Sequence, residues 1–506
     1  MVPPAPLAHV SIAIRSLQSS SHVSHLAGKQ ERRYHGQSFA RRVGVQETVS
    51  YIATSQVGSL ESSVTPTEAG VVSVNPTNPL SILPFSKLAR SFIITSLSSS
   101  PLLLKASLGA LKFVANTKWQ LFSPDRNPII HFVLKKTAYA QFCAGENAAE
   151  VSRTIADLKS IGFKGVMLCY AREVSMGEKA TTPLVNQPAQ AESGVDQIAT
   201  WAKGTLDTVK MAQPGDFVSI KMSGAGPQVA EHLSQSRAPP QLMSKYLTEI
   251  CELARARQVK LAVDAEQNDI QTGIDDWTMD YMKQYNRSEK PLLYCTYQAY
   301  KKTVPSLVAE HLQIAAENNF TLGVKLVRGA YLWSDPRSLF WDNIEDTHRA
   351  YDGIAAGLIE QKYNDVLKPS SPSVARAKFP TVGLVLAGHN ANSVRKAREL
   401  HSAQAAAGEH QIELAFGQLM GMAEHISCDL VRSGQLNRPM GKNSTTDVPQ
   451  AYQYLAWGSV GECSQYLVRR AEENQDAVTR TFDARKALGR ELFRRLSMPF
   501  RRVAAA

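Results

Sequence analysis

Phe217-Val218-Ser219-Ile220-Lys221-Met222 is a short apolar run in which a lysine interrupts the end. It is too short for a helix and lies between helix-length amphipathic stretches, so it reads as a buried strand whose last residues emerge at the sheet's edge. The same phrase recurs at 165–170, 259–264, 292–297, 321–327, 382–387 and 412–416, and in a last run ending near Tyr454. Short apolar runs alternating with amphipathic helices mark βα units and a parallel sheet. Eight such units predict an α/β fold, a distorted (βα)8 TIM-type barrel. Two intervals, 171–196 and the Pro- and Ser-rich 367–380, are long enough to read as insertions.

Polar residues gather where these runs end. Lys221, Asp264 and Glu266, Gln298, Arg328, His389 and Asn390, Gln418, and Tyr454 lie at or just past the C-terminal ends of seven successive runs. In a barrel those ends form one rim, so residues far apart in sequence converge on a single mouth. Taken singly they leave alternatives open. Lys221 could be a Schiff-base nucleophile, a cation for an anionic ligand, or a partner of Asp264. Gly329-Ala330-Tyr331 allows close backbone approach by a flat ligand, or is a plain turn. No second histidine stands at ligand spacing from His389, which argues against a metal and for hydrogen bonding to a cofactor. Gly224-Ala225-Gly226 lacks the third glycine of a dinucleotide loop.

The last unit carries the most pointed signal. Residues 451–457 read as a strand, Gly458-Ser459-Val460-Gly461 as a turn, and Tyr466-Leu467-Val468-Arg469-Arg470 as the helix that follows. Tyr466, Arg469, Arg470 and Glu473 fall at i, i+3, i+4 and i+7 and share one face. Two guanidinium forks on one face suit a carboxylate, because paired N–H bonds fix its orientation as well as its charge. The alternative is a solvated helix with an Arg469–Glu473 pair.

The ends of the chain differ from the middle. Net charge is +11 over 506 residues; residues 1–46 contribute six Lys or Arg against Glu31, and residues 484–502 seven against Glu491. The excess therefore sits at the ends and implies no nucleic-acid partner, which would need a basic patch on the folded body. Residues 1–30 contain no acid and are rich in Ser, the composition of a mitochondrial transit peptide, which we bound at 1–46. A linker follows at 47–81, then a helical arm at 82–148, the barrel at 149–482 and a basic amphipathic helix at 483–506. In that last helix Leu488, Leu492 and Leu496 recur at i+4, apart from Arg490, Arg494 and Arg495, so it could lie on an anionic membrane or pack as an ordinary helix. Six scattered cysteines without a Cys-x-x-Cys read as reduced thiols. The pattern sets no oligomeric state.

Seven motifs in order resemble those of the proline dehydrogenase family, mitochondrial and close to the fungal type. They are Phe217-Val218-Ser219-Ile220-Lys221, Val263-Asp264-Ala265-Glu266, Thr296-Tyr297-Gln298-Ala299-Tyr300, Leu326-Val327-Arg328-Gly329-Ala330-Tyr331, Gly388-His389-Asn390, Gln418-Leu419-Met420-Gly421-Met422 and Tyr466-Leu467-Val468-Arg469-Arg470. The resemblance implies FAD at the strand ends without a Rossmann domain, L-proline as substrate and 1-pyrroline-5-carboxylate as product. It implies that Lys221, Arg469 and Arg470 clamp the substrate carboxylate, that Tyr331, Leu419, Tyr454 and Tyr466 wall its ring, and that Asp264 holds Lys221 or the flavin. Gln298, Lys325, Val327, Arg328, Gly329, His389, Asn390, Gln418 and Glu473 match positions that contact FAD. Lys325 replaces an Arg of bacterial relatives and Gly388 a Thr. The mitochondrial address and basic tail suggest a membrane quinone as electron acceptor, on the matrix side of the inner membrane. Hydroxyproline dehydrogenase on the same fold is the alternative.

Overall fold

Each apolar run becomes a strand because it can be buried on both faces, one inside a cylinder and the other under a helix. The computed structural model describes residues 78–117, 119–171, 194–436, 448–476 and 478–503. The transit-peptide reading, nearly all of the linker and most of the first insertion lie outside them. An N-terminal arm comes first: a 3-10 turn at Pro79–Ile82, α1 (Phe85–Ser98), α2 (Pro101–Asn116), the turn Gln120–Phe122 and α3 (Pro128–Leu134). The linker expected to reach residue 81 thus ends earlier. Helix α4 (Ala148–Ile161) leads into the barrel, capped by Asn147, whose side chain accepts from the Glu150 amide.

The barrel elements follow in order: β1 (Gly165–Tyr170), α5 (Gly194–Met211), β2 (Phe217–Ile220), α6 (Pro227–Ser234), α7 (Gln241–Arg257), β3 (Lys260–Val263), α8 (Asn268–Tyr285) and β4 (Leu293–Gln298). Then come α9 (Val304–Asn318), β5 (Leu322–Val327), α10 (Ile344–Glu360), β6 (Val382–Ala387), α11 (Ala391–Ala407), β7 (Glu413–Leu419), α12 (Glu424–Leu436), β8 (Gln450–Trp457), α13 (Ser464–Asp476) and α14 (Val478–Val503). All neighbouring strands are parallel, and β8 closes on β1 through Gly165 opposite Tyr452 and Met167 opposite Tyr454. The eight-unit barrel expected from the sequence is the observed fold.

Alternation along each strand sorts residues into two cores. Val218, Leu261, Cys295, Val324, Leu384 and Phe416 face outward into the helix layer. Met167, Phe217, Ala262, Tyr294, Val385, Ala415 and Tyr452 fill the lumen, with Phe217 edge-on to both Tyr294 and Tyr452 at 5.2 and 5.1 Å. Two carboxylates at the N-terminal floor are engaged. Glu413 takes Lys260 and, at 3.1 Å, the Tyr294 hydroxyl. Asp216, wholly buried, accepts from the Val166 and Gln213 amides at 3.1 and 2.9 Å and pairs with Lys159 at 3.0 Å. All six cysteines are buried and free.

The C-terminal helix is a packing helix. Leu488 joins Leu80, Leu83, Leu88 and Cys428 in a small core with Leu492 against it, and α14 packs on α1. Glu491 is buried and holds Arg494 and Arg495, and Arg495 also donates to the Leu80, Ser81 and Leu83 carbonyls. Of the leucine stripe, for which the sequence leaves both a membrane and a packing role open, only Leu496 is exposed.

Candidate active site

Strand parity decides which rim residues meet. In β2, Phe217 faces the lumen, so Ser219 and Lys221 do too. The same count places Asp264 inside from Ala262, Gln298 inside from Tyr294, Lys325 and Val327 inside on β5, Leu419 inside from Ala415 and Tyr454 inside from Tyr452. Seven residues singled out from the sequence thus share the lumen's mouth. Three are locked together. Asp264 accepts from Lys325 Nζ at 2.5 Å and from the Tyr454 hydroxyl at 2.9 Å, and the Lys325 ammonium lies 5.2 Å from the Tyr454 ring centre. Asp264 thus has Lys325 as a partner, which parity aims across the lumen at β3. Lys325, expected at the cofactor, spends its charge on this buried pair. Burial, reinforced by Asp264, pushes the Tyr454 phenol well above its ordinary range, so it stays protonated and donates.

A second group lies around the mouth. Gln298, on the lumen parity, donates to the Glu266 carbonyl at 3.2 Å and accepts from the Ala330 amide at 3.3 Å. Gly329 sits at φ +145°, and a Cβ there would come within 2.3 Å of the Tyr300 ring. That ring's hydroxyl accepts from the Tyr331 amide at 3.2 Å and so fixes the turn carrying Tyr331. Arg328 lies over Tyr351 at 4.2 Å and donates to Ser393 Oγ and His348 Nδ1 at 2.8 and 3.2 Å. Burial and the Arg328 charge lower the His348 pKa, leaving a neutral ring that can accept. Asn390 caps α11 through the Ser393 amide, and His389 Nε2 accepts from the Leu419 amide at 3.1 Å. Gln418 falls on the outer parity of β7, where Ser427 of α12 donates to its carbonyl at 3.2 Å.

Helix α13 closes the site. Tyr466 and Arg470 are buried, with the guanidinium 4.7 Å from the ring centre. Glu473 pairs with Arg470 at 2.6 Å, an i,i+3 contact. Tyr466 belongs to a core with Cys143, Ala456 and Cys463, and Tyr454 packs against it, which ties α13 to the lumen's Tyr454. Burial raises the Tyr466 phenol and Arg470 pulls it back. Tyr466 Oη and Arg470 Nε are buried here without a partner. Such groups cost roughly 1–3 kcal/mol each when left unmade, so a buried set of them beside a mouth is what a polar ligand would satisfy.

The family profile described as proline dehydrogenase matches residues 151–482. This chain belongs to the proline dehydrogenase family. It is accordingly an oxidoreductase. Among family members, the probable mitochondrial proline dehydrogenase of Schizosaccharomyces pombe is 27% identical over 80% of this chain and 88% of its own length. A mitochondrial proline dehydrogenase of Dictyostelium discoideum is 28% identical over 72% of this chain and 66% of its own. A hydroxyproline dehydrogenase of Xenopus laevis is 27% identical over 72% and 78%. Among solved structures, proline utilization A from Bdellovibrio bacteriovorus, inactivated by N-propargylglycine, aligns with a TM-score of 0.53 at 15% identity. It covers 78% of this chain, which spans 38% of that protein's length. That likeness concerns the fold.

Several supports escape a reading of the sequence. Tyr300, Tyr351, Ser393 and the buried Lys301–Asp335 pair at 3.0 Å hold the turn after β5 and its arginine. Only Glu266, two residues past Asp264, advertises itself by position; it accepts from the Ser223 amide at 3.0 Å.

Proposed function

We propose that this protein oxidises L-proline to 1-pyrroline-5-carboxylate with FAD. The observation that carries the reading is the meeting of Tyr454, on the lumen parity, with the α13 face where Tyr466 Oη and Arg470 Nε are buried without partners. Lys221, Arg469 and Arg470 are assigned to the substrate carboxylate. Their positive charge lowers the pKa of the adjacent amine and so favours the neutral form, whose lone pair assists loss of hydride from the neighbouring carbon. Tyr331, Leu419, Tyr454 and Tyr466 wall the ring and fix its orientation, which is where much of the rate originates.

The residues fit a flavin in two respects: Gly329 excludes any side chain at a turn, and Gln298 is buried on the lumen parity. Gln298, Val327, Arg328, Gly329, His389, Asn390, Gln418 and Glu473 are assigned to hold it, with Lys325 contributing through Asp264. When bound, the flavin supplies the hydride acceptor.

A membrane quinone is our assigned electron acceptor, and the mitochondrion, at the matrix side of the inner membrane, the location. The mitochondrial names of relatives and the acid-free residues 1–30 support the address. A second reading, oxidation of hydroxyproline, has one observation in its favour: the unpartnered Tyr466 hydroxyl in the ring wall could meet a ring hydroxyl.

Anaerobic mixing with L-proline tests the proposal. A yellow protein that bleaches is expected, with kcat/KM on proline above that on hydroxyproline. A colourless protein, or one bleached only by hydroxyproline, overturns it.

A further inference from the structure

Of the nineteen large hydrophobic side chains exposed among the described residues, eleven lie between Phe85 and Val133 in the arm. Their arrangement inverts that of an ordinary surface helix, which turns its apolar stripe inward. On α3, Ile129, Phe132 and Val133 fall at i, i+3 and i+4 and all face outward, with Lys136 at i+7. On α2, Leu104 and Leu108 are buried, yet Leu102, Leu103 and Phe113 stay outside. Phe122 of the turn after α2 packs on that helix, its ring 5.2 Å from Phe113, and lies 6.3 Å from Trp119, which is 71% exposed.

Charge supplies the second observation. Residues 78–145 hold eight Lys or Arg and one acid, Asp125. That carboxylate is engaged, accepting from Ser459 Oγ and the Gly461 amide at 3.0 and 2.8 Å. Lys112 pairs with Glu472 and Lys135 with Glu146 and Glu150, while Lys87, Arg90 and Lys136 line an open cleft of about 470 Å³ that Glu150 and Asp157 also line. Lys105, Arg126 and Lys136 remain exposed in the arm that carries the apolar side chains, with no bare acid among them. An apolar face with cations and without anions is complementary to an anionic lipid surface. No single helix among the described residues is long and apolar enough to cross a membrane; α1 and α2 reach that length and composition only together and are bent by 101°.

We infer that the outer face of α2, the 120–122 turn and α3 docks on an anionic phospholipid bilayer, with Trp119, Leu121, Ile129 and Phe132 entering the headgroup region. This deepens the proposed function and rests on its membrane-held acceptor. Helix α2 packs on α13, the helix that carries Arg470, so docking by the arm brings the barrel's mouth to the lipid. The docking surface is the arm and not the C-terminal helix, whose leucines are largely consumed by packing.

The experiment is sedimentation of the purified full chain with vesicles of phosphatidylcholine alone or mixed with phosphatidylglycerol. Thermal melting and light scattering of each variant accompany it. We expect binding to the mixed vesicles, at least about tenfold weaker to phosphatidylcholine alone. The double variant Ile129→Asp/Phe132→Asp should lose about 100-fold in partitioning with an unchanged melt, and Phe493→Asp/Leu496→Asp should bind as the unaltered protein does. Equal binding by the Ile129/Phe132 variant overturns the inference, as does loss confined to the Phe493/Leu496 variant. If that arm variant instead converts a dimer to a monomer, a second copy covers this face and the inference also fails. Sedimentation does not depend on turnover, so a protein that docks by its arm but leaves proline untouched would refute the proposed reaction alone.

Discussion

The barrel's two ends handle buried polarity in opposite ways. At the floor every singled-out group is spent: Glu413 on Lys260 and Tyr294, Asp216 on two amides and Lys159. Beside the mouth, Tyr466 and Arg470 of α13 each keep a buried atom without a partner. The floor is built to hold the cylinder closed, and the mouth carries an energetic debt that a ligand can relieve.

The sharpest way to break this contrast is Glu413→Ala. It strands the Lys260 ammonium, whose pKa burial already lowers, and should cost about 3–5 kcal/mol in urea unfolding while leaving KM for proline unchanged in the surviving folded fraction. A raised KM with intact stability would mean that floor and mouth are one system. At the mouth, Arg470→Met should raise the proline requirement about 100-fold, roughly 2.7 kcal/mol, with flavin content and melting temperature little altered. Loss of flavin alongside KM would reassign the arginine to the cofactor.

Between the two ends, His311 of α9 meets the Tyr297 hydroxyl at 2.7 Å, and burial lowers its pKa to about 4. The folded state thus resists protonation that the unfolded chain accepts below about 6.5. The group's contribution is complete above that value and lost as pH falls toward 4. Stability should fall by about 2 kcal/mol from pH 6.5 to 5 relative to His311→Gln, whose urea midpoint should follow a flatter pH profile. The smallest effect belongs to Tyr454→Phe. It removes one donor from Asp264 but leaves Lys325 in place, so about 1 kcal/mol of stability and only a few-fold in KM should go, measured by melting and steady-state rates.

The barrel was legible because its strands announce their ends: an apolar run halted by Lys221, Asp264 or Gln298 states both length and direction. The partnerships inside it were not. Asp264 finds Lys325 sixty-one positions away, a pairing set by closure and register that no local pattern encodes. The α14 stripe shows the same limit from the other side. Leu488 and Leu492 repeat as a membrane-lying helix would, and only the position of α1 reveals that protein covers them. The arm's charge bias was hidden in a count, since an almost acid-free stretch of 68 residues is averaged away in a body of near-zero charge.

Alternation along the strands has a further consequence for how this chain tolerates change. Replacing one lumen residue perturbs one contact, but inserting or deleting a single residue in β7 would exchange the sides of Gln418 and Leu419 and of every residue up to the next bend. Length errors within the staves should therefore be far more damaging than spelling errors, and natural size variation should collect in the connecting loops.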